Sequence, residues 1–233
     1  MNQDGLNLVK CTWGRIFNSL MRIPLFPLQT VFFPGETVPL HIFEERYKAL
    51  IQDCKNEAIT FGIPVFINNV VAYGTEVQLK EIVNTYADGS MDVVCVARQV
   101  FKVVTFDPQM DDKLYPGGEV AFLDPVQDSE PELVQKVLEA CRELYRLMEL
   151  PFGPVKLEVF NSFTLAHKMG LSFQQEYQLL QLTSESVRLQ FLLDHLQQTI
   201  KVLGELNRTR ERIELNGHFR NFDPLDFKDY SLQ

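Results

Sequence analysis

The chain has 233 residues, 45% of them apolar and 23% charged, the balance of a folded soluble protein with one large or two smaller domains. Lysine and arginine total 22 against 31 aspartates and glutamates, and the net charge of −9 argues against a general nucleic-acid binder or a ligand of anionic membrane surfaces. No run reaches the ~18 consecutive apolar residues of a spanning helix, and the apolar content is too high for a disordered chain.

In chain order, residues 1–20 carry Lys10 and Arg15 but no apolar signal core, and are expected to be a loose extension. Translation could begin at Met1 or at Met21, which directly precedes the first strand pattern. Strands are expected at Ile23 to Leu28 and Val38 to Ile42, around a turn on Pro34-Gly35. Phe43 to Lys55 reads as a helix with Tyr47, Leu50 and Ile51 on its apolar side. Strands follow at Phe61 to Ile67 and Val70 to Tyr73, separated by Asn68-Asn69. Val77, Leu79 and Val83 alternate toward one face, Met91 to Val103 is a long β run, and Val120 to Leu123 closes the set. Asp88-Gly89 between them reads as a type I′ hairpin turn, which needs positive φ at both central residues. Phe26, Phe43, Val94, Val96 and Phe101 are the expected core of this half.

Near residue 126 the pattern changes to leucine at helical spacing. Ser129 followed by Pro131 and Glu132 reads as an N-cap and first turn, and Val134, Leu138, Cys141, Tyr145 and Met148 form one stripe. A further helix is expected over Leu157 to Met169, ended by Gly170. Ser172 and Gln175 form a capping box for the next, and Thr183 or Ser184 caps the longest. Its repeat of Leu189, Leu192, Leu196, Thr199, Leu203, Leu206, Arg210 and Ile213 fits packing on other helices better than a coiled coil, and Asn216-Gly217 is its expected end. The domains expected are an extension over 1–20, a β unit over 21–126, a helical unit over 127–217 and a tail over 218–233.

No catalytic residue and no metal site are expected. The chain lacks a phosphate loop, G-x-G-x-x-G, G-x-S-x-G and H-E-x-x-H. His41, His167, His195 and His218 are scattered, with His41 a hydrogen-bonded structural residue of its strand and His195 at the surface. Cys11, Cys54, Cys95 and Cys141 form no C-x-x-C pair and read as buried free thiols of a reducing cytoplasm. No cofactor is implied. The supply of 18 phenylalanines fills cores and can also furnish aromatic anchors for apolar protein segments.

Pro24-Leu25-Phe26-Pro27-Leu28, Phe32-Phe33-Pro34-Gly35-Glu36 and Pro39-Leu40-His41-Ile42-Phe43-Glu44-Glu45-Arg46-Tyr47 together resemble the opening of the Lon protease N-terminal domain family. Weaker agreement continues at Phe61-Gly62-Ile63, Gly74-Thr75, Asp88-Gly89 and along the helices to about Leu203. The resemblance implies an α+β fold: a PUA-like β pseudo-barrel followed by an α-helical bundle with a long C-terminal helix. It further implies a non-enzymatic module that recognises unfolded or apolar segments of client proteins or a partner, in a form standing apart from the ATPase and peptidase domains of Lon. A protease or chaperone is an expected associate, nucleic acid and membrane are not, and a monomer or weak homodimer is expected. A PUA-like RNA-binding module is the alternative. Phe32, Phe33, Pro34, Phe43 and Tyr47 are the candidate partner-binding residues, near the Phe32-Phe33-Pro34-Gly35 turn or in a cleft facing the bundle. Pro27, Gly35, Pro39, Glu44 and Arg46 are expected to hold the scaffold, with Glu44 at the helix start and Arg46 paired to an acceptor.

Overall fold

Val38 and Ile42 on one strand and Met91, Val93, Cys95 and Ala97 on its neighbour are all buried. This period-two burial wraps an antiparallel sheet around a single apolar face. The computed structural model describes residues 20–155 and 160–219, with the side chains of 215–219 excepted. The expected extension over 1–20 lies, apart from Leu20, outside the described residues, as do Cys11 and all of the 218–233 tail beyond Phe219. The chain forms two compact units: residues up to Val126 with Ser172–Thr183, and Gln127–Leu171 with Ser184 onward.

In the first unit the strands are β1 (Met21–Pro24), β2 (Thr37–Ile42), β3 (Phe61–Ile67), β4 (Val70–Thr85), β5 (Met91–Val103) and β6 (Gly117–Phe122). Their order is β1-β6-β5-β4-β3, with β2 also on β5, and parallel bridges from Leu25 to Gly62 and from Leu28 to Val65 bring the sheet round on itself. The stretch expected as a strand over Ile23 to Leu28 thus changes partner after Pro24, from β6 to β3. The main core gathers Phe26, Val38, Ile42, Phe61, Ile63, Val77 and Tyr115 with the buried face of helix α1 (Glu45–Glu57). A smaller cluster holds Ile23, Leu25, Phe101 and Val120. Helix α3 (Phe173–Leu180) groups with this unit, its Tyr177 ring standing edge-on to Tyr73 at 6.4 Å.

Several expectations shift here, each for a backbone reason. Val94 and Val96 are only half-buried, because β5 turns Val93, Cys95 and Ala97 inward. The two short segments expected at Val70 to Tyr73 and Val77 to Val83 are one strand, β4, whose register slips at Thr75/Val77, Leu79/Glu81 and Ile82/Asn84. Each bulge adds a residue to one side and flips the parity, so Ile82 turns toward the core and Val83 is left 62% exposed. Asp88-Gly89 is not a type I′ turn: only Gly89 has positive φ, and the Tyr86 and Ser90 backbones bracket a three-residue loop. The positive-φ pair is Asn68-Asn69, joining β3 to β4. Helix α1 starts two residues later than expected and ends at Ala58, held left-handed at φ 55°. Gly74 is fixed by proximity, since a Cβ there would sit 2.4 Å from the Ile63 carbonyl oxygen and Pro64 Cα.

On α1, Asp53 accepts from Lys113 Nζ at 2.9 Å and from the buried Tyr115 hydroxyl at 2.7 Å, tying the helix to the loop before β6. Those two hydrogen bonds hold the Asp53 carboxyl below the usual carboxylate range. A depressed native pKa stabilises the fold above the unfolded value of about 4, and that stabilisation disappears as pH falls through the native value. Urea midpoints of wild type and Asp53→Asn should therefore differ at pH 6 and converge toward pH 3. Cys54, Cys95 and Cys141 are free and buried, and burial pushes each thiol up to about 12.

In the second unit, α2 (Pro131–Leu147) packs on α4 (Glu185–Phe219) through Val137, Leu138, Cys141 and Leu144. Its N-cap is Glu130 and not Ser129, so Pro131 takes the first helical position. Of the expected stripe, Leu138 and Cys141 are buried, whereas Met148 is 47% exposed, because the buried face runs through Val137 and Leu144. The helix expected from Leu157 to Met169 is a 3₁₀ turn over Ser162–Lys168 with Asn161 in a capping box; residues 156–159 lie outside the described residues. Ser172 with Gln175 does form a capping box, and Ser184 accepts from Val187 N–H at the start of α4. Along α4 Leu189, Leu192 and Leu196 are buried, but Leu206 and Ile213 are 58% and 66% exposed, and the helix continues through Asn216-Gly217. His195 is half-buried and bonds the Met169 carbonyl, so it is an inward residue of α4.

A buried ion pair locks the base of α4. Arg188 Nη2 lies 2.6 Å from Glu185 Oε2, and its guanidinium stacks over Phe163 at 4.5 Å. Ser162 Oγ accepts from Arg188 Nε at 2.8 Å and donates to Glu185 at 2.9 Å, with all three residues at most 3% exposed. Removing one partner leaves a buried charge unpaired, so Arg188→Met should cost about 3–5 kcal/mol in urea unfolding. Glu185→Leu with Arg188→Met should recover much of that loss.

Candidate functional site

Strand alternation decides which motif residues face outward. Val38 and Ile42 are buried, so Pro39 and His41 point away from the core, and the same parity carries one residue beyond β2 to Phe43. Phe43 is 64% exposed and is not the core residue expected, for this reason. Its ring lies 6.1 Å from that of His41, which meets Tyr86 edge-on at 5.9 Å. Asp92, opposite His41 across the β2–β5 ladder, joins the group: His41 Nδ1 lies 2.7 Å from Oδ1, and the Tyr86 hydroxyl donates to Oδ2 at 2.6 Å. The hydrogen bonds from Tyr86 and His41 hold the Asp92 carboxyl below the usual carboxylate range. His41 is hydrogen-bonded as expected, but on the outer face of the strand.

The surroundings are stiffly held. Lys48 on α1 donates to Glu45 at 2.8 Å and to the Asp88 carbonyl at 3.0 Å, fixing the β4–β5 turn against the helix. Arg46 pairs with Glu44 at 2.7 Å and lies 4.5 Å over the Tyr47 ring. The other face of Tyr47 stacks on Phe26 at 3.8 Å. Tyr47 is therefore an internal residue, 4% exposed.

At the Phe32-Phe33-Pro34-Gly35 turn, the two phenylalanines separate. Phe33 is fully buried and Phe32 is half-buried against the main core, while Pro34 is half-buried. Gly35 at φ 90° follows Pro34 in a turn closed by Glu36 N–H to the Phe33 carbonyl, a type II arrangement. Glu36 reaches back to the Phe33 N–H at 2.9 Å, and Gly35 N–H and Ala97 N–H tie the turn to β5. Pro27 is half-buried, and Pro39 lies exposed on β2, which pairs with β5 alone. The structure thus brings Phe43 together with His41, Tyr86 and Asp92, and leaves Phe33 and Tyr47 inside. Tyr86 and Asp92 were missed from sequence; their place on either side of the Asp88-Gly89 turn, level with the end of β2, was the available signal.

Among the described residues no three His, Cys, Asp or Glu side chains are grouped to hold a metal ion, and no helix is long and apolar enough to cross a membrane.

A curled antiparallel sheet followed by helices, with an outward aromatic group on its N-terminal stretch, defines an α+β fold. Residues 22–198 match the ATP-dependent protease La (LON) substrate-binding domain, and the chain belongs to that family. A Lon N-terminal domain protein from Xanthomonas campestris is 28% identical, with a TM-score of 0.59 over 75% of this chain and 98% of that one. The N-terminal domain of the Mycobacterium avium complex Lon protease shares the fold at 17% identity, with a TM-score of 0.56 over 76% of this chain and 98% of that one. Among curated protein sequences, none matches.

The burial values separate the aromatic candidates. Phe33→Ala should cost about 3–5 kcal/mol in chemical unfolding through the cavity it leaves. Phe43→Ala should change stability by no more than about 0.5 kcal/mol, as exposed substitutions do.

Proposed function

We propose that the chain is a non-enzymatic protein-recognition module that binds apolar segments of unfolded client proteins or of a partner, with Phe43 as its exposed anchor. The observation that carries this reading is the 64% exposure of a phenylalanine framed by His41, Tyr86 and Asp92 within the stretch that matches the family. Large aromatics with rigid surroundings make interface anchors, because little side-chain freedom is lost on binding. Membership of a substrate-binding domain family supports the same reading. In this proposal the protein is cytoplasmic, needs no cofactor, acts beside a protease or chaperone and is a monomer or weak homodimer. Phe32 and Pro34 lie in the turn at the opposite end of β2, while Phe33 and Tyr47 hold the scaffold.

A permanently unfolded, phenylalanine-rich model protein is the test ligand. Wild type should bind it saturably, and Phe43→Ala should weaken binding by about 1–2 kcal/mol with the unfolding midpoint unchanged. No saturable binding by wild type up to ~1 mM, where contacts worth about −4 kcal/mol register, would sink the proposal.

A further inference from the structure

The curled sheet is not closed along its whole length. Leu25 and Leu28 bridge to Gly62 and Val65, and the first of these bridges engages the Pro24 carbonyl, but among the described residues Met21–Ile23 have strand partners on β6 alone. Their other edge lines an open groove of about 580 Å³, whose opposite wall is the Glu57–Thr60 stretch leading from α1 into β3. Leu25 N–H donates to Pro116 and Phe26 N–H to Gly62, so odd-numbered residues of this strand turn their backbone groups to β6 and even-numbered residues turn theirs away. The N–H and C=O of Arg22 therefore face the groove side, where β1 has no strand partner among the described residues.

The groove has an apolar floor and an acidic rim. Ile23, Ile59, Met110 and Tyr115 supply the floor. Both cations beside it are already neutralised: Arg22 by Asp107 at 2.9 Å and Asp111 at 3.1 Å, Lys113 by Asp53 at 2.9 Å. Glu57 and Asp112 are exposed and lie outside these ion pairs, Glu57 adding a second carboxylate near the Lys113 ammonium. An unpaired strand edge attracts an extended chain that brings its own N–H and C=O groups. The floor selects apolar side chains on one face of that chain, and the rim selects cations on the other.

We propose that an extended segment of an unfolded client protein, alternating apolar with lysine or arginine residues, adds as a strand to the Met21–Ile23 edge of β1. This rests on the reading of the chain as a client-recognition module and gives that client its chemistry. Apolar side chains settle on Ile23 and Ile59, the backbone bonds Arg22, and the cations meet Glu57 and Asp112.

The test uses the full chain and labelled nine-residue peptides, followed by fluorescence anisotropy. A peptide alternating valine with lysine should bind at least tenfold more tightly than one alternating valine with glutamate. Glu57→Lys with Asp112→Lys should invert that order, whereas Glu205→Lys with Glu211→Lys, an equal change in net charge on α4, should leave it intact. Should the first pair lower the unfolding midpoint, Glu57→Gln with Asp112→Asn should still abolish the preference. N-methylation of alternate peptide amides should weaken binding at least tenfold, which a contact through side chains alone would not show. Equal binding of the two peptides, the same response to both charge reversals, or indifference to N-methylation overturns the inference. So does binding seen only after removal of residues 1–19, which would make that leading segment the occupant. Saturable binding of the unfolded model protein without peptide discrimination overturns the strand addition alone; loss of both overturns the client-recognition reading as well.

Discussion

Strand β5 is the element on which the first unit depends. Over thirteen residues it bonds β4 along one edge, and β2 and then β6 along the other. β1 reaches it through β6 and β3 through β4, and the bridges at Leu25 and Leu28 then link the two outer strands. Its inward residues from Met91 to Ala97 form the middle of the main core, and Phe101 belongs to the second cluster. One strand therefore sets the register of the whole sheet and divides the apolar interior in two.

The exposed aromatic group follows from that register. Because Ile42 pairs with Met91 and His41 with Asp92, the outward face at the end of β2 brings a histidine and a carboxylate together, and the β4–β5 turn returns Tyr86 to the same carboxylate. Phe43 sits at the handover from β2 to α1, outside both ladders, where its neighbours are fixed but its ring is not covered. One motif thus divides its aromatic residues: Phe26, Phe33 and Tyr47 inside, Phe43 outside.

Closure of the sheet involves a similar division. Gly74 permits a backbone approach that a Cβ would block, and Gly62, which bridges to Leu25, leaves room for the side chains of Leu25 and Phe101. Before Pro24, β1 has no second strand partner among the described residues, and its residues line a groove with Ile59 and Met110. The second unit is fastened differently, by a desolvated arginine–glutamate pair satisfied by Ser162 and a phenylalanine face. Such a network favours one packing of α4, since any other strands a charge away from water.

The sequence by itself determined the order of elements, the change from strands to helices, the Pro34-Gly35 turn, the Ser172 capping box and the family. Those signals are local: turn chemistry, caps and periodicity act within a few residues. Burial on a particular face was legible only where polar and apolar residues alternate, as along Val38 to Ile42. It was illegible in Val93-Val94-Cys95-Val96, where both faces are apolar and parity carries no information, and beyond Leu79, where bulges in β4 reverse it. The exposure of Phe43, the meeting of His41, Tyr86 and Asp92, and the open edge of β1 were decided by the tertiary structure. Each depends on which strand lies beside which and where pairing stops, and those hydrogen bonds join residues up to about a hundred positions apart.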